Sequence, residues 1–205
     1  MAKETAHQIG TPLSSLIGWT ELLKNENIKA SYIEEINNDI KRLETITDRF
    51  SKIGSVPQLL PTDIIKATKT ATDYLRSRSS ALIKFEIELP KTPCRVSLNE
   101  ELYSWTIENL VKNGIDAMKG KGLLKIVVYS NEKAVFIEIS DSGKGLAKAQ
   151  FKTIFETGYT TKKRGWGLGL SLAKRIVEQY HKGKIKVLSS EIGKGTTVQI
   201  SLKKL

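Results

Sequence analysis

The stretch Trp105-Thr-Ile-Glu-Asn-Leu-Val-Lys-Asn-Gly-Ile-Asp-Ala-Met118 constrains the rest of this chain most strongly. Asn109, Asn113 and Asp116 fall at i, i+4 and i+7, on one face of a helix. Ile107, Leu110, Val111, Gly114 and Met118 fall on another, with the spacing of a core-facing stripe. A solvated helical face carries long Lys, Glu and Arg. This polar face carries two short amides and a carboxylate. Asparagine is a mediocre helix former, because its amide competes for backbone hydrogen bonds. Two readings stand at this point. The asparagines are solvated or capping, or they form a wall of a polar pocket with amide oxygens facing a hard cation that bridges phosphates.

The segments before this helix read as a separate unit. Residues 2–26 are predicted as a helix, with Leu13, Leu16, Ile17, Thr20 and Leu23 on the helical period and Pro12 kinking it. Residues 25–29 are a polar break. Residues 31–54 form a second helix, whose Ile33, Ile36, Ile40, Leu43, Thr47 and Phe50 make a bundle seam. Such a hairpin has too little core alone, so the expectation is a four-helix bundle built from two copies. Residues 57–61 read as a linker. Thr62 is then expected to cap a helix over 63–79, followed by a half-buried strand from Ile83 to Leu89 and a short strand over 94–98.

Asn99 caps the asparagine helix, Glu100 and Glu101 suit its positive end, and Gly120 and Gly122 stop it. Strands are predicted over 124–129 and 134–140, a helix over 168–180, and a closing hairpin over 185–190 and 196–202. On the predicted helix, Gly169, Leu172, Ala173, Ile176, Val177 and Tyr180 share the buried face, and His181 sits at its end as a cap. The fold class is therefore α+β: a helical hairpin, then an α/β sandwich with a mixed sheet of about five strands and three helices. The domain reading is 1–56 for the hairpin, 57–61 for the linker and 62–205 for the sandwich.

Composition narrows the partners. No apolar run of about 18 residues is present, so no membrane helix is expected, and the N-terminus lacks the pattern of a signal peptide. The single cysteine, Cys94, permits no internal disulfide and fits a reducing cytoplasm. The net charge of +11 favours acidic partners. The basic residues are dispersed as on a solvated surface, which argues against nucleic acid.

Two glycine segments follow the helix. Asp141-Ser-Gly-Lys-Gly145 ends a strand with a carboxylate and two glycines. A tight turn explains it, as does an acceptor placed where backbone approaches a ligand closely. Gly165-Trp-Gly-Leu-Gly169 opens a helix, and N–H groups at a helix start form an anion site. It is not a Walker loop, because no Gly-Lys-Ser/Thr follows, and not a Rossmann start, because no strand directly precedes it. Between them, residues 155–163 carry hydroxyls and cations suited to a lid over phosphates.

Asn109-Leu-Val-Lys-Asn113, Asp141-Ser-Gly-Lys-Gly145, the stretch from Phe151 to Lys162, Gly165-Trp-Gly-Leu-Gly169 and Gly193-Lys-Gly-Thr-Thr197 resemble, in order, five motifs of sensor histidine kinases. These are the N, first glycine, phenylalanine and second glycine boxes, and the closing glycine-threonine motif. His7-Gln-Ile-Gly-Thr-Pro-Leu13 resembles the phosphoacceptor box of that family. The resemblance implies a Bergerat-type (GHKL) ATP site. By it, Asp141 binds the adenine amino group, and Gly143 and Gly145 shape that loop. Asn113 coordinates Mg²⁺ and Asn109 contacts the phosphate side. Gly165, Gly167, Leu168, Gly169 and Leu170 receive phosphates at the helix start, Thr160 and Lys162 belong to the lid, and Thr196 lies near the adenine end. His7 accepts the γ-phosphoryl group and passes it to an aspartate of a response-regulator receiver domain. Thr11 serves dephosphorylation of that regulator.

The sequence departs from the family in places. A carboxylate commonly follows the histidine, and here it is Gln8, left with an orienting role. Asp116 stands where many members have a cation. Only six residues precede His7, so the expectation is a cytoplasmic piece of a longer, membrane-anchored sensor, itself without membrane contact. Two alternatives remain. A superfamily ATPase needs a water-activating carboxylate one helical turn before the Mg²⁺ asparagine, and that position is Asn109. A degenerate nucleotide-binding docking module is favoured only by Gln8.

Overall fold

In the computed structural model, residues 16–23, 30–53, 57–160 and 167–205 are described. The chain divides into two compact units, Met1–Pro57 and Gln58–Leu205. The expected helix start and Pro12 kink, the break at 25–29, and His7, Gln8, Thr11, Lys162 and Gly165 lie outside the described residues.

In the first unit, residues 16–23 are helical (α1) and Ala30–Ile53 form α2. Thr20, Ile33 and Ile40 are buried, and the Thr20 hydroxyl donates to Ile17 O at 2.8 Å. Among the described side chains the predicted seam splits in two, and those of Thr47 and Phe50 lie outside the description. Ile36 and Leu43 stay 40% and 41% exposed in the single chain, as do Leu16, Trp19 and Leu22 on α1 to similar or greater extent. One hairpin buries one stripe and leaves a second apolar face, the arrangement that a helical bundle closes with another hairpin.

The second unit starts earlier than the sequence reading. Leu60–Asp63 are strand β1, paired antiparallel with β3 (Arg95–Leu98), so Leu60 and Pro61 are sheet residues and not linker. Thr62 belongs to β1 and donates to Leu60 O; it is Asp63 that caps α3 (Ile64–Ser77). The Asp63 carboxylate accepts from Ile65 N–H at 3.1 Å and from Cys94 N–H at 3.2 Å, fastening the helix start to β3 as well. The carboxylate two residues from an orphan donor serves this role because the helix starts only at Ile64, the strand pairing holding Thr62 outside it.

Strands β2 (Ile83–Glu88), β4 (Gly122–Ser130), β5 (Ala134–Asp141), β6 (Lys184–Glu191) and β7 (Gly195–Lys203) form one sheet in the order β2-β4-β5-β7-β6. The β2–β4 pair is parallel and the others are antiparallel, so the sheet is mixed. Alternate residues point to one face: Leu124, Ile126 and Val128, then Val135, Ile137 and Ile139, then Ile200 and Leu202, all buried. Against that face pack α3, α4 (Glu100–Ala117) and α6 (Gly169–Arg175), giving a two-layer sandwich around one core. A short helix, α5 (Gln150–Thr153), precedes the lid segment.

Helix α4 is built as its sequence predicts at the start. Asn99 Oδ1 accepts from Leu102 N–H at 3.0 Å. Its end differs. Lys119, with φ of 55°, takes the left-handed position, and Gly120 N–H then reaches back to Ile115 O at 3.0 Å. Helix α6 runs into a π turn at Ile176–Tyr180, which leaves Ala173, Ile176 and Val177 buried and Gly169, Leu172 and Tyr180 half-buried. His181 is more than a cap. It is 7% exposed, and its Nε2 accepts from Asn99 N–H at 3.0 Å while Nδ1 donates to Ile176 O at 3.0 Å. That pair of bonds requires the neutral Nδ1–H tautomer. The ring thus ties the end of the α6 segment to the start of α4.

Candidate functional site

The polar face of α4, the end of β5, the first glycine loop and the start of α6 enclose a pocket of about 470 Å³. Of the residues singled out in the sequence, Asn109, Asn113, Asp141, Gly145, Thr160, Gly167, Leu168, Gly169, Leu170 and Thr196 line it. Gly143 does not. The pocket also has apolar walls the sequence reading did not assign: Leu110, Ile139, Leu146, Ile154 and Val198. Ile139 and Val198 are register partners on β5 and β7, so the strand pairing creates a flat apolar surface. The only signal for it in sequence is strand alternation, which shows burial and not what is buried against.

At one end stands Asp141, the last residue of β5, paired with Leu124 on β4 and Thr196 on β7. Its Oδ1 accepts from Gly143 N–H at 2.8 Å, and the Thr196 N–H also donates to the carboxylate. Burial pushes the carboxyl pKa above its ordinary value, and these N–H groups offset part of that rise. Gly114 shows why the α4 stripe contains a glycine. A Cβ there would lie 2.9 Å from a Leu124 methyl and 3.1 Å from Asp141 Cβ, so its absence sets how closely the helix approaches the carboxylate.

The first glycine loop is shaped by its own neighbours. A Cβ on Gly143 would sit 2.6 Å from the Ala117 carbonyl carbon, and one on Gly145, where φ is 69°, would sit 2.0 Å from Glu191 O. The loop wedges between the end of α4 and the β6–β7 hairpin. It is held there by Lys144 N–H to Ala117 O, Gly193 N–H to Lys144 O and Leu146 N–H to Ser190 Oγ.

At the other end, Asn113 donates its amide nitrogen to Asn109 O at 2.8 Å, committing that nitrogen to the helix backbone. Asn109 Nδ2 is buried with no hydrogen-bond partner among the described residues. Its Oδ1 lies 3.3 Å from where a Cβ on Gly169 would stand, so that glycine lets the α6 start close onto the asparagine face. Gly167, with φ of 64°, accepts from Gly158 N–H at 3.1 Å, and a Cβ on it would strike the Gly158 backbone. Gly158 and Gly167 therefore hold the two ends of the intervening segment together. Tyr159 is anchored beside them by Gln150 Nε2 at 2.8 Å.

A sandwich with a carboxylate at a strand end, a polar helix wall and a glycine-opened helix start defines a nucleotide site of one broad class. Residues 99–205 match the model of the "Histidine kinase-, DNA gyrase B-, and HSP90-like ATPase" family, and the chain belongs to that family. Residues 1–56 match the "His Kinase A (phospho-acceptor) domain", so the chain carries the domain pair of two-component sensor histidine kinases. Sporulation kinase C of Bacillus subtilis (strain 168) is 28% identical over 209 residues, covering 98% of this chain and 48% of the relative. The chain thus spans about half the length of that curated relative. In fold it resembles full-length ShkA in complex with AMPPNP, with a TM-score of 0.82 and 20% identity over 99% of this chain and 45% of that one. It also resembles histidine kinase ThkA in complex with response regulator protein TrrA, with a TM-score of 0.65 and 23% identity over 98% of this chain and 60% of that one.

Proposed function

We propose that this chain is the kinase core of a two-component sensor. It autophosphorylates on His7 at the expense of ATP and passes the phosphoryl group to an aspartate of a response-regulator receiver domain. The observation that carries this reading is the pairing of two ends in one pocket. A half-buried carboxylate with apolar walls suits a base, and asparagines facing a helix start suit phosphates. The nucleotide complex of ShkA and the regulator complex of ThkA support ATP and a receiver domain as partners.

Mg²⁺ fits the residues present. Among the described residues no cluster of three His, Cys, Asp or Glu side chains exists to hold a metal alone. Mg²⁺ keeps waters and shares phosphate oxygens, so one protein oxygen suffices. Asn113 would supply it, its nitrogen being committed to Asn109 O. When bound, the ion would neutralise charge on the phosphates. Asn109 cannot activate water, which favours transfer to His7 over hydrolysis. Gln8 orients the imidazole, and Thr11 serves regulator dephosphorylation. Lys162 and Thr160 close over the phosphates, and Gly165 precedes the helix start. The exposed Ile36 and Leu43 face supports a homodimer through the hairpin. No described helix is long and apolar enough to cross a membrane. A substrate such as ATP places the reaction in the cytoplasm.

Incubation with γ-labelled ATP tests the reading. Acid-labile label on the protein is expected, lost in His7→Ala with nucleotide affinity retained. Free phosphate with no protein label is the outcome of an ATPase, and neither product is that of a docking module.

A further inference from the structure

Ser190 belongs to none of the motifs, yet it is the most connected hydroxyl near the base end of the pocket. A register shift between Val187 and Ser189 inserts one extra residue into β6. Ile185 and Val187 face the core before it, and Ser190 turns to the core side after it, opposite Thr196. Ser190 Oγ lies 2.8 Å from Leu146 N, 2.9 Å from Gly195 O and 2.8 Å from Thr196 Oγ1.

A hydroxyl has one proton and two lone pairs, so these contacts settle its bonding. Gly195 O only accepts and takes the Ser190 proton. Leu146 N–H fills one Ser190 lone pair. The Thr196 hydroxyl then donates into the other. Thr196 lines the pocket beside its register partner Asp141. With its own proton turned to Ser190, Thr196 presents lone pairs alone, next to a carboxylate that also accepts.

We propose that Ser190 is a specificity-determining positioning residue: it holds Thr196 as a hydrogen-bond acceptor, so that the base end takes a 6-amino purine nucleotide and disfavours its 6-oxo counterpart. Two acceptors side by side match a 6-amino group, which carries two N–H donors, whereas a 6-oxo base offers one, on N1. A carbonyl oxygen there meets only lone pairs, and a polar group left unpaired in a closed site costs more than a bond gained. In Ser190→Ala the Thr196 proton is released to the pocket and can serve a 6-oxo group. The inference rests on the nucleotide reading above.

The test is calorimetric titration of the whole chain with ADP and with IDP, whose base carries a carbonyl in place of the 6-amino group and a proton on N1. Wild type should prefer ADP. Ser190→Ala should lower that preference by roughly three- to tenfold, the size of one hydrogen bond. Thr196→Val, which deletes the hydroxyl being oriented, should lower it as well, and adding Ser190→Ala to that variant should change it no further. Faster amide exchange at Leu146 in Ser190→Ala will report that the anchor is gone. If exchange at Leu146 rises while the ADP to IDP ratio stays at the wild-type value, Ser190 only braces the loop and the inference is overturned. Wild type that binds neither diphosphate overturns the nucleotide reading itself, and this inference with it.

Discussion

The two ends of the pocket are built differently. At the base end, Asp141 accepts from Gly143 and Thr196 N–H groups, Thr196 meets Ser190, and Ser190 holds the Leu146 backbone. Every one of these bonds exists without a ligand. At the phosphate end, Asn109 Nδ2 is buried with no partner among the described residues, and the N–H groups at the start of α6 are those a helix leaves unpaired. One end is satisfied by the protein and preorganised for a base. The other is left short of acceptors among the described residues, which a bound polyanion would bring. A buried donor without a partner costs about 1–3 kcal/mol, so the phosphate end stores a cost that binding relieves.

The largest effect should come from the base end. Asp141→Asn should weaken nucleotide binding by roughly ten- to a hundredfold, the worth of a charged hydrogen bond, with Mg²⁺ or without it. Titration with ADP plus and minus Mg²⁺ checks this. Asn113→Ala should cost about tenfold and only when Mg²⁺ is present, because it removes the oxygen proposed for the cation and not a base contact. Equal losses with and without Mg²⁺ would erase the distinction between the two ends.

Asn109→Leu sharpens the contrast through stability. It removes an unpartnered buried amide at similar volume, so the ligand-free protein should gain about 1 kcal/mol in denaturant unfolding while losing nucleotide affinity. A loss of stability would show that the amide is not a stored cost.

The pH dependence separates two titratable groups, the half-buried Asp141 and the buried His181. The folded pKa of Asp141 is raised, mainly by burial, so its contribution to stability is full below the ordinary carboxylate value and is lost as pH rises through the folded one. In Asp141→Asn that decline should be absent from thermal midpoints taken upward from about pH 3.5. The folded pKa of His181 is lowered from 6.5 by burial. Its contribution is therefore full above 6.5 and is lost as pH falls toward the lower folded value, where the ring gains a proton and Asn99 N–H loses its acceptor. His181→Gln should flatten thermal midpoints between pH 6.5 and 5, the smallest of these effects. An unchanged slope would mean that the ring does not couple the far ends of α4 and α6.

Local periodicity carried the sequence reading wherever a residue's neighbours along the chain decide its environment. The α4 stripe, the Asn99 cap and the alternation of β4 and β5 are of this kind, because helix and strand periods are set by backbone geometry alone. The asparagine face was legible for the same reason: two amides at i and i+4 must share a surface. Thr62 and Asp63 show the limit. Both are competent caps, and only the pairing of β1 with β3 excludes the first.

What the tertiary structure alone decided is which elements become neighbours. Strand order β2-β4-β5-β7-β6 puts Thr196 beside Asp141 although 54 positions separate them, and it lays Val198 against Ile139 to make the apolar wall. No period in the sequence specifies a partner strand, since hydrogen bonding between strands is the same for any pair and the choice is made by packing over the whole sheet. The bulge in β6 is the finest case. One extra residue reverses the face of everything after it, and so turns Ser190 from an outward-facing serine into the partner of Thr196.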